Sequence, residues 1–95
     1  MFARVSTYEI PVDRMDEATE TFRQAINRIR ELAGLVGANL LVSAESGRLL
    51  TMTLWETRAA MEASRVAASR LRSDAVRPFD GNVVSTEEYE VAAQG

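Results

Sequence analysis

Apolar residues in this chain switch between two spacings, and the order of the switches restricts the fold more than any single residue does. Phe2 to Ile10 reads Phe-Ala-Arg-Val-Ser-Thr-Tyr-Glu-Ile, rich in β-branched and aromatic residues and closed by Pro11, which cannot donate to a ladder. This predicts a first strand. Asp13 then stands where an N-cap belongs, with Asp16 and Glu17 suited to the positive end of a helix dipole. Met15, Ala18, Phe22, Ala25, Ile26, Ile29 and Ala33 recur at three- and four-residue intervals, a helical stripe that Gly34 ends. Leu35–Glu45, interrupted by Gly37, and Arg48–Trp55 read as strands joined across Glu45-Ser46-Gly47, with Gly47 free to take positive φ. Thr57 caps a second helix, whose stripe of Ala60, Met61, Ser64, Ala67, Ala68, Leu71 and Ala75 runs on to Arg77 before Pro78 halts it. Asp80-Gly81 turns the chain into a last strand, Val83–Val91, ahead of a polar tail.

The order strand, helix, strand, strand, helix, strand defines a ferredoxin-like α+β domain (βαββαβ) over residues 1–95, with a four-stranded antiparallel sheet and both helices on one face. Two matters stay open. The first strand shows Phe2, Arg4, Ser6, Tyr8 and Ile10 on one face and Ala3, Val5, Thr7 and Glu9 on the other, and alternation does not say which meets the core. The alanine-rich stripe either lets the second helix approach its neighbours closely or leaves room for a ligand. Arg48–Trp55 is apolar on both faces, with Leu50, Met52 and Leu54 on one and Leu49, Trp55 and two threonines on the other. A sheet roofed on one side leaves one such face bare. A chain of this size buries only about 60–65% of its unfolded surface, so the bare face is expected to pair with the same face of a second copy, giving a homodimer.

Absences narrow the chemistry. The chain has no Cys, no His and no Lys. Disulfides, thiolate nucleophiles and Cys-ligated metals go with the first; imidazole bases, Ser-His-Asp triads and a proximal-His haem with the second; Schiff bases and a P-loop lysine with the third. No metal site and no cofactor is expected. All 11 basic residues are arginines against 14 acids, a net charge of −3 and a pI near 4.9, which argues against a nucleic-acid partner. No run approaches the ~20 apolar residues that span a bilayer, and the opening residues resemble no signal peptide, so no membrane partner and a cytoplasmic location are expected. The second helix stands apart from this acidic balance: between Arg58 and Arg77, five arginines face Glu62 and Asp74, a local charge of +3 that an anionic ligand or acidic partner could use.

The segment Leu49-Leu50-Thr51-Met52-Thr53-Leu54-Trp55-Glu56-Thr57, followed by Arg58-Ala59-Ala60-Met61, resembles the strand ending in Trp-Glu-Ser before a helix of the antibiotic biosynthesis monooxygenase domains. Element order and a last strand closing on Tyr89-Glu90-Val91 fit the same family, so the resemblance spans nearly the whole chain. It implies a dimeric α+β barrel. It also implies membership of a family that includes cofactor-free oxygenases of polyketide anthrones and quinols, together with haem-degrading enzymes. Trp55 matches the tryptophan of the oxygenase pocket. Where that branch has asparagine this chain has Thr51, where it has tyrosine stands Met61, and its helical arginine falls at Ala75, with Arg72 and Arg77 nearby. The haem-degrading branch matches less: its asparagine, tryptophan and axial histidine fall at about Ser6, Ser64 and Asp74.

Cofactor-free oxygenation suits so bare a residue set. A deprotonated anthrone or hydroquinone can itself reduce O₂, leaving the protein to orient it, exclude water and stabilise the anion. On this reading Trp55 and Thr51 are the catalytic candidates. Arg72, Met61, Tyr8 and Ser6 contact an apolar aromatic substrate, with Thr53 as a further hydroxyl. A cavity of about 300 Å³ or more between sheet and helices is the expected home for it. The alternative is a non-catalytic dimeric module of the same fold that binds a small apolar ligand or a partner protein.

Overall fold

The computed structural model describes residues 1–95. Its strands are β1 (Phe2–Glu9), β2 (Leu35–Ser43), β3 (Arg48–Trp55) and β4 (Asn82–Glu90), and its helices α1 (Met15–Ile29), α2 (Arg58–Ala63) and α3 (Arg65–Val76). All strand pairs are antiparallel and the order across the sheet is β2-β3-β1-β4, the ferredoxin-like arrangement. Three helices stand where two were expected, because the second is interrupted at Ser64. The cause lies at the Met61 carbonyl, which accepts from the Ser64 backbone N–H (3.2 Å), from the Ser64 hydroxyl (2.7 Å) and, across from β1, from the Arg4 guanidinium (2.8 Å), and this tightens the turn there.

Two other boundaries move. Asp13 is not an N-cap; it lies in a 3₁₀ turn, Val12–Arg14, closed by the Arg14 N–H on the Pro11 carbonyl (2.9 Å), so backbone takes the part assigned to its carboxylate. Helix α1 stops at Ile29 rather than near Ala33, and its end winds into 3₁₀-type bonds from Glu31 and Leu32. Gly34 then turns the chain at φ 82°, where a Cβ would come within 2.4 Å of the Ala60 Cβ. Thr57 does cap α2, its hydroxyl accepting from the Ala60 N–H at 3.0 Å. The interruption at Gly37 is a register shift between Leu35 and Gly37 that leaves Val36 exposed.

The helix-covered face is the one carrying Arg4, Ser6 and Tyr8 of β1 and Leu49, Thr53 and Trp55 of β3, all buried. Its apolar residues fall into two clusters. One gathers Tyr8, Ile10, Met15, Phe22, Leu49 and Phe79, with Tyr8 edge-on to Phe22 at 4.6 Å. The other gathers Ile29, Trp55, Met61 and Ala68. Each large side chain so buried contributes roughly 1.5–3 kcal/mol by leaving water. Between the clusters the sheet is polar, and there the cavity lies. On the other face Val5, Leu50, Met52 and Leu54 are only half-buried.

Candidate functional site

Strand alternation sets the polar floor of the site. Arg4, Ser6 and Tyr8 are two residues apart on β1, and the register places Ser6 opposite Thr51 and Arg4 opposite Thr53 on β3. Helices α1 and α3 roof this floor with Phe22, Ile26, Leu71 and Arg72, and the small Ala25, Ala68 and Ala75 leave a gap beneath them. The gap is about 40 Å³, measured as space open to the centre of a water molecule, which is room for a few waters. A substrate-sized cavity was expected; in this state alanines and leucine close most of it.

The hydroxyls are fixed by one another. Tyr8 and Thr51 share a hydrogen bond of 2.9 Å, Ser6 donates to the Thr86 hydroxyl at 3.4 Å, and the Trp55 indole N–H donates to Thr53 at 2.9 Å. Arg4 is 3% exposed, and its guanidinium reaches Ser64 (3.0 Å), the Met61 carbonyl and the Glu88 carboxylate (2.9 Å) while lying 5.6 Å from the centre of the Trp55 ring. Glu88 also accepts from Arg65 on α3. The Arg65 hydrogen bond, joined by that of Arg4, holds the Glu88 carboxyl down to about 2. Arg72 differs from the other two arginines. It is half-buried, lines the cavity, and forms no ion pair or side-chain hydrogen bond. Burial lowers its pKa from the ordinary arginine value, although it stays cationic. Burial likewise raises the Tyr8 phenol, only partly offset by its hydrogen bonds to Thr51 and Ser6 and by the charges of Arg72 and Arg4, which favours the protonated phenol.

Four of the sequence candidates therefore meet at one place: Ser6, Tyr8, Thr51 and Arg72 all line the cavity. Trp55 and Met61 do not line it. They pack in the second cluster, Trp55 fully buried and joined to the cavity wall through Thr53. Sequence reasoning missed Arg4, whose available sign is the alternation Arg4, Ser6, Tyr8 within an apolar strand. Glu88 stands out in the sequence only as one of three acids, with Glu87 and Glu90, that read as the guard of a sheet edge; its arginine partners are distant in sequence.

The family model for antibiotic biosynthesis monooxygenase matches residues 1–72, and the chain belongs to that family. Its fold is similar to that of an antibiotic biosynthesis monooxygenase-like protein of Deinococcus radiodurans (TM-score 0.81, 13% identity, 99% of this chain and 95% of that one). It is likewise similar to the cofactor-independent oxygenase SnoaB of Streptomyces nogalater (TM-score 0.76, 11% identity, 98% and 94%). A third likeness is to the heme-degrader MhuD of Mycobacterium tuberculosis (TM-score 0.77, 20% identity, 100% and 99%). At these identities the likeness is one of fold. Among curated sequences, an uncharacterised protein of Mycobacterium tuberculosis is 31% identical over 94 residues, which are 98% of this chain and 42% of that protein. The chain thus spans less than half the length of this relative. The residues here do not fit haem ligation through histidine or cysteine, since the chain has no imidazole and no thiolate. No helix is long and apolar enough to cross a membrane.

Proposed function

We propose that this chain is a cofactor-independent monooxygenase acting on a hydrophobic aromatic of quinol or polyketide type. The observation that carries the reading is Arg72, a half-buried guanidinium without a counter-ion at the edge of an apolar cavity where Tyr8, Ser6 and Thr51 converge. A cation so placed favours an enolate or phenolate over its neutral parent. For an anthrone-type substrate the balance is simple. One methylene proton passes to solvent water and leaves the enolate held by Arg72; two of its electrons reduce O₂ to a carbon-bound peroxide, which takes up a proton, a donation for which Tyr8 is placed. Loss of the remaining C–H proton to solvent then breaks the O–O bond and expels hydroxide, leaving a ketone, so a CH₂ and O₂ become C=O and H₂O. Trp55, through Thr53, and Met61 act in this scheme by shaping the wall behind the cavity. Opening of the α1–α3 roof around Ile26 and Leu71 must accompany binding.

Together with family membership, the half-buried Val5, Leu50, Met52 and Leu54 support a homodimer through the open sheet face. One observation favours the second reading, a non-catalytic dimeric module: the closed cavity is far smaller than a polycyclic ring. Oxygen uptake decides between them. Protein incubated with reduced anthrone or naphthoquinol is expected to consume O₂ beyond the spontaneous rate and yield the ketone or quinone only aerobically. No protein-dependent uptake across such substrates would remove the oxygenase reading.

A further inference from the structure

Outside the cavity, between α3 and β4, lies an open groove of about 410 Å³ with no apolar residue in its lining: Arg4, Arg65, Ser69, Arg72, Thr86 and Glu88. Arg4 and Arg72 line both the groove and the cavity, so the two spaces meet along these side chains. Three arginines share the groove with one carboxylate, and their partners are unequally distributed. Glu88 takes the donors of Arg4 and Arg65, which satisfies that side. On the other side Arg72 has no acceptor, and the hydroxyl of Ser69, three residues earlier on the same helical face, also finds no partner within the chain. Arg72 and Ser69 thus present N–H and O–H donors on one helix face; Glu88, hydrogen-bonded to Arg4 and Arg65, acts on Arg72 through its charge but makes no contact with it. A planar anion suits such a pair, since guanidinium can bind two acceptor oxygens at once.

Resting on the oxygenase reading, we propose that the substrate is a hydroxyaromatic acid whose ring enters the cavity while a carboxylate beside the hydroxyl sits in the groove on Arg72 and Ser69. One guanidinium facing both spaces then holds the reacting oxygen and the carboxylate together. This makes the groove a specificity site and the charge of the ligand a requirement for tight binding, distinct from the apolar contact that the cavity lining offers.

Binding of 1-hydroxy-2-naphthoate and of 1-naphthol, which lacks the carboxylate, measured by calorimetry at low ionic strength, tests it. The acid is expected to bind about tenfold more tightly, the size of a hydrogen-bonded charge contact. Arg72→Gln should bring the two to within about twofold, and Ser69→Glu, which supplies an internal carboxylate, should do the same. Both positions lie on an exposed or half-exposed helix face, and helical circular dichroism checks that each variant folds. Equal affinity of acid and naphthol for the unaltered protein, an acid preference that survives Arg72→Gln, or inorganic phosphate binding as tightly as the acid would each overturn the proposal. Oxygen uptake separates the two ideas. Selective acid binding without uptake leaves this site standing and removes the oxygenase reading, whereas uptake from an uncharged naphthoquinol without acid preference does the reverse.

Discussion

The two sides of strands β1 and β3 differ, and neither keeps to the simple rule of apolar inside and polar outside. The side roofed by helices carries Arg4, Ser6, Tyr8, Thr51 and Thr53 between its apolar clusters; the side without a roof carries Val5, Leu50, Met52 and Leu54. Elementary physics favours the reverse, because each polar group under a roof must find a partner or cost roughly 1–3 kcal/mol. Here every buried side-chain polar atom has found one. The covered face therefore spends its hydrogen-bonding on holding hydroxyls and guanidinium groups in place, which a purely structural core has no reason to do. The open face leaves apolar area in water, which a lone subunit has no reason to do either. On the proposed reading, the covered face serves recognition and the open face association.

The largest effect should come from forcing charge onto the open face. In a two-fold contact one substitution appears twice, so Met52→Asp places two carboxylates in the buried centre. This is expected to weaken dimerisation by about 100-fold or more, about 3 kcal/mol, with the unfolding of the separated subunit little changed. Sedimentation at micromolar concentration reads it. A parent protein that is already monomeric there would break the comparison, since the apolar face would then have no occupant.

Next in size is the covered face. Glu88→Gln removes the counter-charge from Arg4, which is buried, and should cost about 2 kcal/mol in urea unfolding. Its pH dependence distinguishes a charge effect from simple repacking. The Glu88 carboxyl is held at about 2, below its ordinary 4.5, so its contribution is complete above 4.5 and is lost as pH falls toward 2. The stability gap between parent and Glu88→Gln should therefore be constant above that range and close within it. A gap that persists at the acid end would mean that Arg4 and Arg65 do not depend on the carboxylate charge.

Periodicity sufficed for the strand order of elements, the Thr57 cap, the turn at Gly47 and the apolar row Leu50, Met52, Leu54, because each of these depends on neighbours within a few residues. What escaped it was tertiary in origin. The break at Ser64 follows from Arg4 reaching across to the Met61 carbonyl, and a stripe of helix-favouring residues gives no notice of a donor that arrives from β1. The face of β1 was ambiguous because Arg4 is charged and buried, against the rule by which faces are assigned. The site divided in the same way. Ser6, Tyr8, Thr51 and Arg72 converge because two adjacent strands and one helix face bring them together, while Trp55 and Met61 belong to packing behind the cavity, a distinction that depends on which alanines face inward.

The smallest and most direct contrast uses neighbouring positions on one strand. Tyr8→Phe keeps the ring on Phe22 and removes only the hydroxyl bonded to Thr51, so it should cost about 1 kcal/mol in stability. On the proposed mechanism it should cost far more in function, because the Tyr8 phenol, kept protonated by burial, would lose its part as proton donor at the cavity. Thr7→Val, one residue earlier and on the opposite face, should change stability by no more than about 0.5 kcal/mol, leave oxygen uptake unchanged and, if anything, tighten the dimer by adding apolar area. The pair separates the two faces within a single strand: uptake should fall only for Tyr8→Phe, and self-association should shift only for Thr7→Val. Loss of uptake in Thr7→Val with the dimer intact would show that the faces are not independent, and that the open side feeds back on the geometry of the cavity through the two strands they share.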